Sequence, residues 1–171
     1  MTNPDTIVVE FGSTEFDIAS VLGPRTRNAL AAANAANTFI IRERSRGNLS
    51  SATILASGLS LNHDQIQFIK EMAAEPRAYY CGRPIFRRLP PKQNFAIQLH
   101  SDAGVLDLMI DLHNSSWGFY CGAETYQDWN WVGHHFKDIA KRAFPQFASA
   151  NKKSVWQAGV ITRLEATLKN D

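Results

Sequence analysis

From residue 93 to residue 122 the large apolar side chains fall at every second position. In residues 94–113 ("NFAIQLHSDAGVLDLMIDLH"), Phe95, Ile97 and Leu99 alternate with Ala96, Gln98 and His100. Leu106, Leu108, Ile110 and Leu112 then alternate with Asp107, Met109, Asp111 and His113. A period of two predicts β-strands. Ser101-Asp102-Ala103-Gly104 suits a four-residue turn, with Ser first and Gly last. The turn fixes a register in which Leu99 faces Leu106, Ile97 faces Leu108 and Phe95 faces Ile110, and a slip of one residue would scatter these side chains over both faces. Asn114-Ser115-Ser116 allows a second reversal, returning "WGFYC" as a third strand with Trp117, Phe119 and Cys121 on the apolar face. The opposite face of this ribbon is expected to be polar and solvated, as is common in antiparallel sheets.

Elsewhere the period is helical. Pro24 opens "PRTRNALAAANAAN" (24–37), whose alanines favour helix with Leu30, Ala33 and Ala36 inward. Residues 38–43 ("TFIIRE") predict a strand. "LSSATILAS" predicts a short helix closed by Gly58. "NHDQIQFIKEMAAE" predicts a helix capped by Asn62, burying Ile66, Ile69, Met72 and Ala73. Val132, His135, Phe136, Ile139 and Ala143 recur at helical spacing up to Pro145. A last helix is expected from Ser154, with Gln157 completing a capping box and Trp156, Val160, Leu164 and Leu168 on one side. Near the start, residues 6–11 predict a strand, and "EFDIASVL" fits strand or helix. Together these elements predict an α+β fold: an antiparallel meander of about three to five strands packed against helices from both halves, in a single domain over 1–171.

The chain has 171 residues, 44% of them hydrophobic and 20% charged, enough for one hydrophobic core. A net charge of +2 is too small for a general grip on nucleic acid. No apolar run approaches a membrane span, and the start resembles no signal peptide, so a cytoplasmic protein is expected, with no membrane partner.

Four groups of residues could carry chemistry. The two cysteines stand in matching contexts, "YYCG" at 79–82 and "FYCG" at 119–122. Cys81 and Cys121 fit buried thiols best, with a disulfide or a metal or nucleophile role as alternatives. Asp107, Asp111 and His113 share the polar face of the ribbon. Asp111 and His113 could give two ligands to a divalent ion, with His134 and His135 as further donors, and Cys121, His135 and Asp111 could be drawn as a nucleophile arrangement. No ligand spacing approaches a zinc signature, and no cofactor is expected.

A helix-turn-helix could span residues 50–72, with Arg42, Arg44 and Arg46 meeting phosphates and Gln65 and Gln67 meeting base edges. Asp64, Glu71 and Glu75 on the second helix oppose that reading. Lastly, "YQDWNWVGHHF" concentrates Tyr126, Asp128, Trp129 and Trp131, residue types enriched at interface anchors, unless their rings simply roof the sheet. The expected function is therefore non-catalytic: recognition of another protein, in the manner of an inhibitor, immunity factor or adaptor, with nucleic-acid binding and a metal or Cys/His enzyme as alternatives.

Overall fold

The ribbon is the middle of a six-stranded antiparallel sheet in the computed structural model, which describes residues 6–9, 14–79, 92–113, 116–129 and 133–148. The elements in chain order are β1 (Thr6–Val9), β2 (Thr14–Asp17), α1 (Pro24–Ala32), β3 (Ala35–Arg44), β4 (Ile54–Ser57), α2 (His63–Ala74), β5 (Gln93–Ser101), β6 (Gly104–Asp111), β7 (Ser116–Cys121), β8 (Glu124–Trp129), α3 (Gly133–Ala143) and α4 (Pro145–Ala148). β1 and β2 form a separate two-stranded ladder, so "EFDIASVL" begins as strand and continues into a 3₁₀ turn at Ile18–Ser20. The main sheet runs β4-β3-β5-β6-β7-β8.

The fold is α+β as expected, but with six strands rather than three to five. The hairpin register holds: Phe95 pairs with Ile110, Ile97 with Leu108 and Leu99 with Leu106. Gly104 takes φ +129°, a left-handed value suited to glycine, and the Ser101 hydroxyl donates to its carbonyl. Trp117, Phe119 and Cys121 join the same apolar face. Against that face pack Ala29 and Leu30 of α1, Ile66, Ile69, Met72 and Ala73 of α2, and Phe136, Ile139, Ala140 and Ala143 of α3. The capping box of α2 is reciprocal: Gln65 N–H donates to Asn62 Oδ1, and Asn62 N–H to Gln65 Oε1, each at 2.9 Å.

Two expectations about single elements need correction. First, α1 stops at Ala32, and the alanine run beyond it is strand. Asn34 N–H donates to the His100 carbonyl and Ala35 pairs with His100, so a ladder along β5 replaces the helical bonds that the alanines could have made. Second, "LSSATILAS" is a 3₁₀ turn (Leu49–Ser51) followed by strand β4, whose pairing with β3 is interrupted by a bulge at Ile40/Ile41. The bulge breaks the period of two, which hides the strand. As expected, α3 ends before Pro145, which opens the single turn of α4, because proline is pre-set for the first helical position. Cys81, Trp131 and the helix expected from Ser154 lie outside the described residues. Among the described residues no helix is long and apolar enough to cross a membrane.

Candidate functional site

The second face of the sheet is not the solvated surface its polar residues suggest. Residues 45–53, between β3 and β4, fold across it as a strap. Beneath them Ile41, Leu49, Ala96 and Met109 form a second buried cluster, flanked by Phe39, Ala52 and Tyr120. The strap is tied down by hydrogen bonds. Leu49 N–H donates to Asp107 Oδ2 at 2.9 Å, Gly47 N–H to the Tyr120 hydroxyl at 3.3 Å, and Gln127 Nε2 to the Ser45 carbonyl at 3.3 Å. Gly47 takes φ +131°, and a Cβ there would also strike the Arg44 guanidinium.

Asp107 is 8% exposed and Asp111 fully buried, so both carboxylates belong to the interior and the expected solvated acidic face is corrected. Their oxygens are engaged as hydrogen-bond acceptors. Asp107 Oδ1 accepts from Gln98 Nε2. Asp111 accepts from the backbone N–H of Lys92 at 2.7 Å and of His113 at 2.9 Å. Carboxylate oxygens in a dry site are stabilised by accepting such N–H hydrogen bonds. His113 stands in the turn beyond β6 and is exposed, so it does not extend the row of strand positions with Asp111. Among the described residues no three His, Cys, Asp or Glu side chains gather at metal-binding spacing.

The other chemistry-bearing groups are dispersed. Cys121 is a free, buried thiol on the helix-covered face, opposite to Asp111. Burial pushes its pKa up, against the pull of the Arg25 guanidinium, so it is poorly nucleophilic at neutral pH. His135 belongs to the helical layer, where its ring meets Phe68 of α2 edge-on at 5.1 Å. Cys121, His135 and Asp111 therefore form no single site.

The helix-turn-helix expectation loses its first helix, which is β4. Arg44 donates to the Arg46 carbonyl and to the Ser51 hydroxyl, bracing the strap, while Arg42 and Arg46 are exposed. Gln65 is bound into the capping box and Gln67 donates to Glu71. Arg42 and Arg44 belong to β3 and Arg46 to the strap, whereas Gln65 and Gln67 belong to α2.

Of the aromatic group, Tyr126 sits half-buried on β8, its ring 5.7 Å from Tyr79 and 6.2 Å from Phe119, and so roofs the core. Asp128 and Trp129 lie in the same strand, paired with Trp117 and Ser116. Residues 124–129 are thus regular strand. Burial drives the Tyr79 phenol well above its ordinary range, and it stays protonated as the donor to the Ala73 carbonyl at 2.6 Å.

Glu124, which the sequence pattern did not single out, is also held by several hydrogen bonds. Gly23, the residue before α1, offers no capping side chain. Glu124 supplies one from β8: Oε2 accepts from Thr26 N–H at 2.7 Å and from the Thr26 hydroxyl at 2.9 Å, and Oε1 accepts from Arg25 N–H at 3.1 Å. A carboxylate here also opposes the positive end of the helix dipole. The Thr26 backbone N–H, above all, holds the Glu124 carboxyl below the ordinary glutamate range, helped by the Thr26 hydroxyl, the Arg25 N–H and the Arg25 guanidinium against the cost of desolvation.

Because the folded pKa is depressed, the stabilisation is complete above the unfolded glutamate pKa and is lost as pH falls through the folded value. Glu124→Gln is therefore expected to lower the melting temperature at neutral pH, with the gap to wild type closing in acid. Thermal melts of both proteins between pH 7 and pH 3 measure this.

The sheet ends in β4 on one side and in β8 on the other, and the β4 side carries exposed aliphatic residues. β4 closes one side of the sheet and, among the described residues, pairs with β3 alone. Beside it Ile54 is 47% and Leu59 59% exposed. Gly58 has no room for a side chain against Thr38 and the Phe144 ring, and Leu59 N–H donates to the Ala143 carbonyl, so backbone contacts hold the loop after β4 to the end of α3 with Leu59 outward. From Gly47 to Asn62 there is no ionisable side chain, the longest such run in the chain. That run is the signal by which the edge could have been found in the sequence.

Comparison with protein-family models, with curated proteins and with solved structures found no match to this chain.

Proposed function

We propose that the chain is a non-catalytic binding protein of the inhibitor, immunity or adaptor kind, acting in the cytoplasm, and that it recognises another protein through the β4 edge. The observation that carries this reading is the pairing of an open strand edge with two exposed aliphatic side chains, Ile54 and Leu59. An edge strand presents unpaired N–H and C=O groups to which an extended segment can add, and neighbouring apolar side chains give such a contact its desolvation energy. The acid and thiol groups that a catalytic reading would use serve the fold: Asp107 and Asp111 accept backbone N–H groups, and Cys121 is buried. Tyr126 is half-buried and packs against the core. The recognition surface is therefore assigned to Ile54 and Leu59 in preference to the aromatic stretch.

Affinity capture from cells that express the gene provides the test. A partner retained by the wild-type chain is expected to be lost from Ile54→Lys and from Leu59→Lys, both of which place a charge at exposed positions and leave the core intact. Equal capture by wild type and both variants would remove the reading.

A further inference from the structure

We infer that the β4 edge is a self-association surface, and that the partner it takes is a second copy of this chain, added strand to strand in antiparallel fashion about a two-fold axis. The inference rests on the reading of β4 as a recognition edge and adds that, when no other protein holds it, the edge pairs with a second copy.

Three features of the segment lead there. Natural edge strands are commonly guarded by lysine, by proline or by an inward charge. Between Arg46 and His63 this chain has none of them. A partner strand bearing charge would find no counter-charge at β4 and would lose hydration for nothing, whereas the same uncharged strand from another copy brings no such cost. Next, the two exposed aliphatic side chains flank the edge from both ends of β4, Ile54 at its first residue and Leu59 two residues past its last. An antiparallel neighbour reverses the chain, so each Ile54 end meets the Leu59 end of the other copy, and one isologous contact covers all four side chains. Third, the segment is anchored rather than loose. Arg42 N–H donates to the Thr53 carbonyl, Gly58 N–H to the Thr38 carbonyl and Leu59 N–H to the Ala143 carbonyl, which presents the edge in a fixed conformation and limits the ordering cost of docking.

The same geometry sets the strength. β4 has four residues, and the bulge at Ile40/Ile41 distorts its pairing with β3. The shared surface is at the small end of specific interfaces, below about 1,200 Å² in total. A reversible, concentration-dependent dimer is therefore expected, and closure about the two-fold axis stops growth through this contact at two copies, because each copy's β4 edge is covered by the other's.

Sedimentation velocity of the full-length protein from low micromolar to near-millimolar concentration tests the inference. The expected result is a monomer–dimer equilibrium that shifts to monomer in Ile54→Lys and in Leu59→Lys, with circular dichroism and melting temperature unchanged. Ile54→Val, which keeps an aliphatic side chain, is expected to retain the dimer. A monomer at every concentration overturns the inference, as does a dimer indifferent to both lysine variants or growth into larger species. A wild-type monomer that still captures a cellular protein lost by Ile54→Lys overturns self-association alone and leaves the recognition reading standing. A monomer whose captured proteins are unchanged in the variants removes both.

Discussion

Replacing Trp117 by alanine is expected to remove about 3–5 kcal/mol of folding free energy, the range for truncating a large buried aromatic. The indole is 1% exposed and lies among three other rings, at 5.0 Å from Tyr79, 4.9 Å from Phe119 and 5.8 Å from Phe136. These rings come from the end of α2's connection, from β7 and from α3. Trp117 thus joins the sheet to the helical layer, and a cavity there loosens both. A domain of this size is commonly stable by only about 5–15 kcal/mol, so the variant should be partly unfolded at moderate temperature. Trp117→Phe offers a sharper reading. The indole Nε1 is buried and has no hydrogen-bond partner among the described residues. Phenylalanine gives up some volume but also removes that unsatisfied donor, and its cost should be well below that of alanine. Urea unfolding of the three proteins measures the difference. Equal losses for Phe and Ala would mean that the N–H contributes what the geometry denies it.

Asp111→Ala is expected to cost about 2–4 kcal/mol, since two N–H groups lose a charged acceptor worth roughly 1.5–3 kcal/mol each and water recovers part of the loss. Asp111→Asn, which retains one carboxamide oxygen, should cost about half as much. The comparison separates a structural carboxylate from a metal ligand. If Asp111 serves the fold, a chelator leaves the melting temperature of the wild-type protein unchanged, and both variants are destabilised equally with and without it. A chelator-induced fall that Asp111→Ala abolishes would instead assign the residue to an ion.

The meander was legible because three independent signals agreed over residues 93–122. The period of two, the Ser101–Gly104 turn and the matched strand lengths all required one register, and α2 was equally plain from its cap and its apolar face. β3 was obscured by its first residues. Alanine and asparagine there differ from strand formers by tenths of a kcal/mol in intrinsic preference, less than a continuous ladder along β5 provides. β4 was hidden by brevity and by a bulge. The acidic face misled for a different reason: Asp107 and Asp111 stand in strand positions that look solvated in any linear reading. Only the strap, folding back from residues 45–53, converts them into interior acceptors. Glu124 could not have been found from local pattern at all, because the helix it serves is preceded by a glycine and its nearest bond spans 98 residues of sequence.

That long reach carries a temporal consequence. As the chain leaves the ribosome, the start of α1 emerges early and stays open, with its N–H groups facing water, until the strand bearing Glu124 has been made and has docked. The first long helix of the protein is thus among the last to be completed. Amide exchange at Thr26 would serve as a clock for the moment at which the sheet's far margin falls into place.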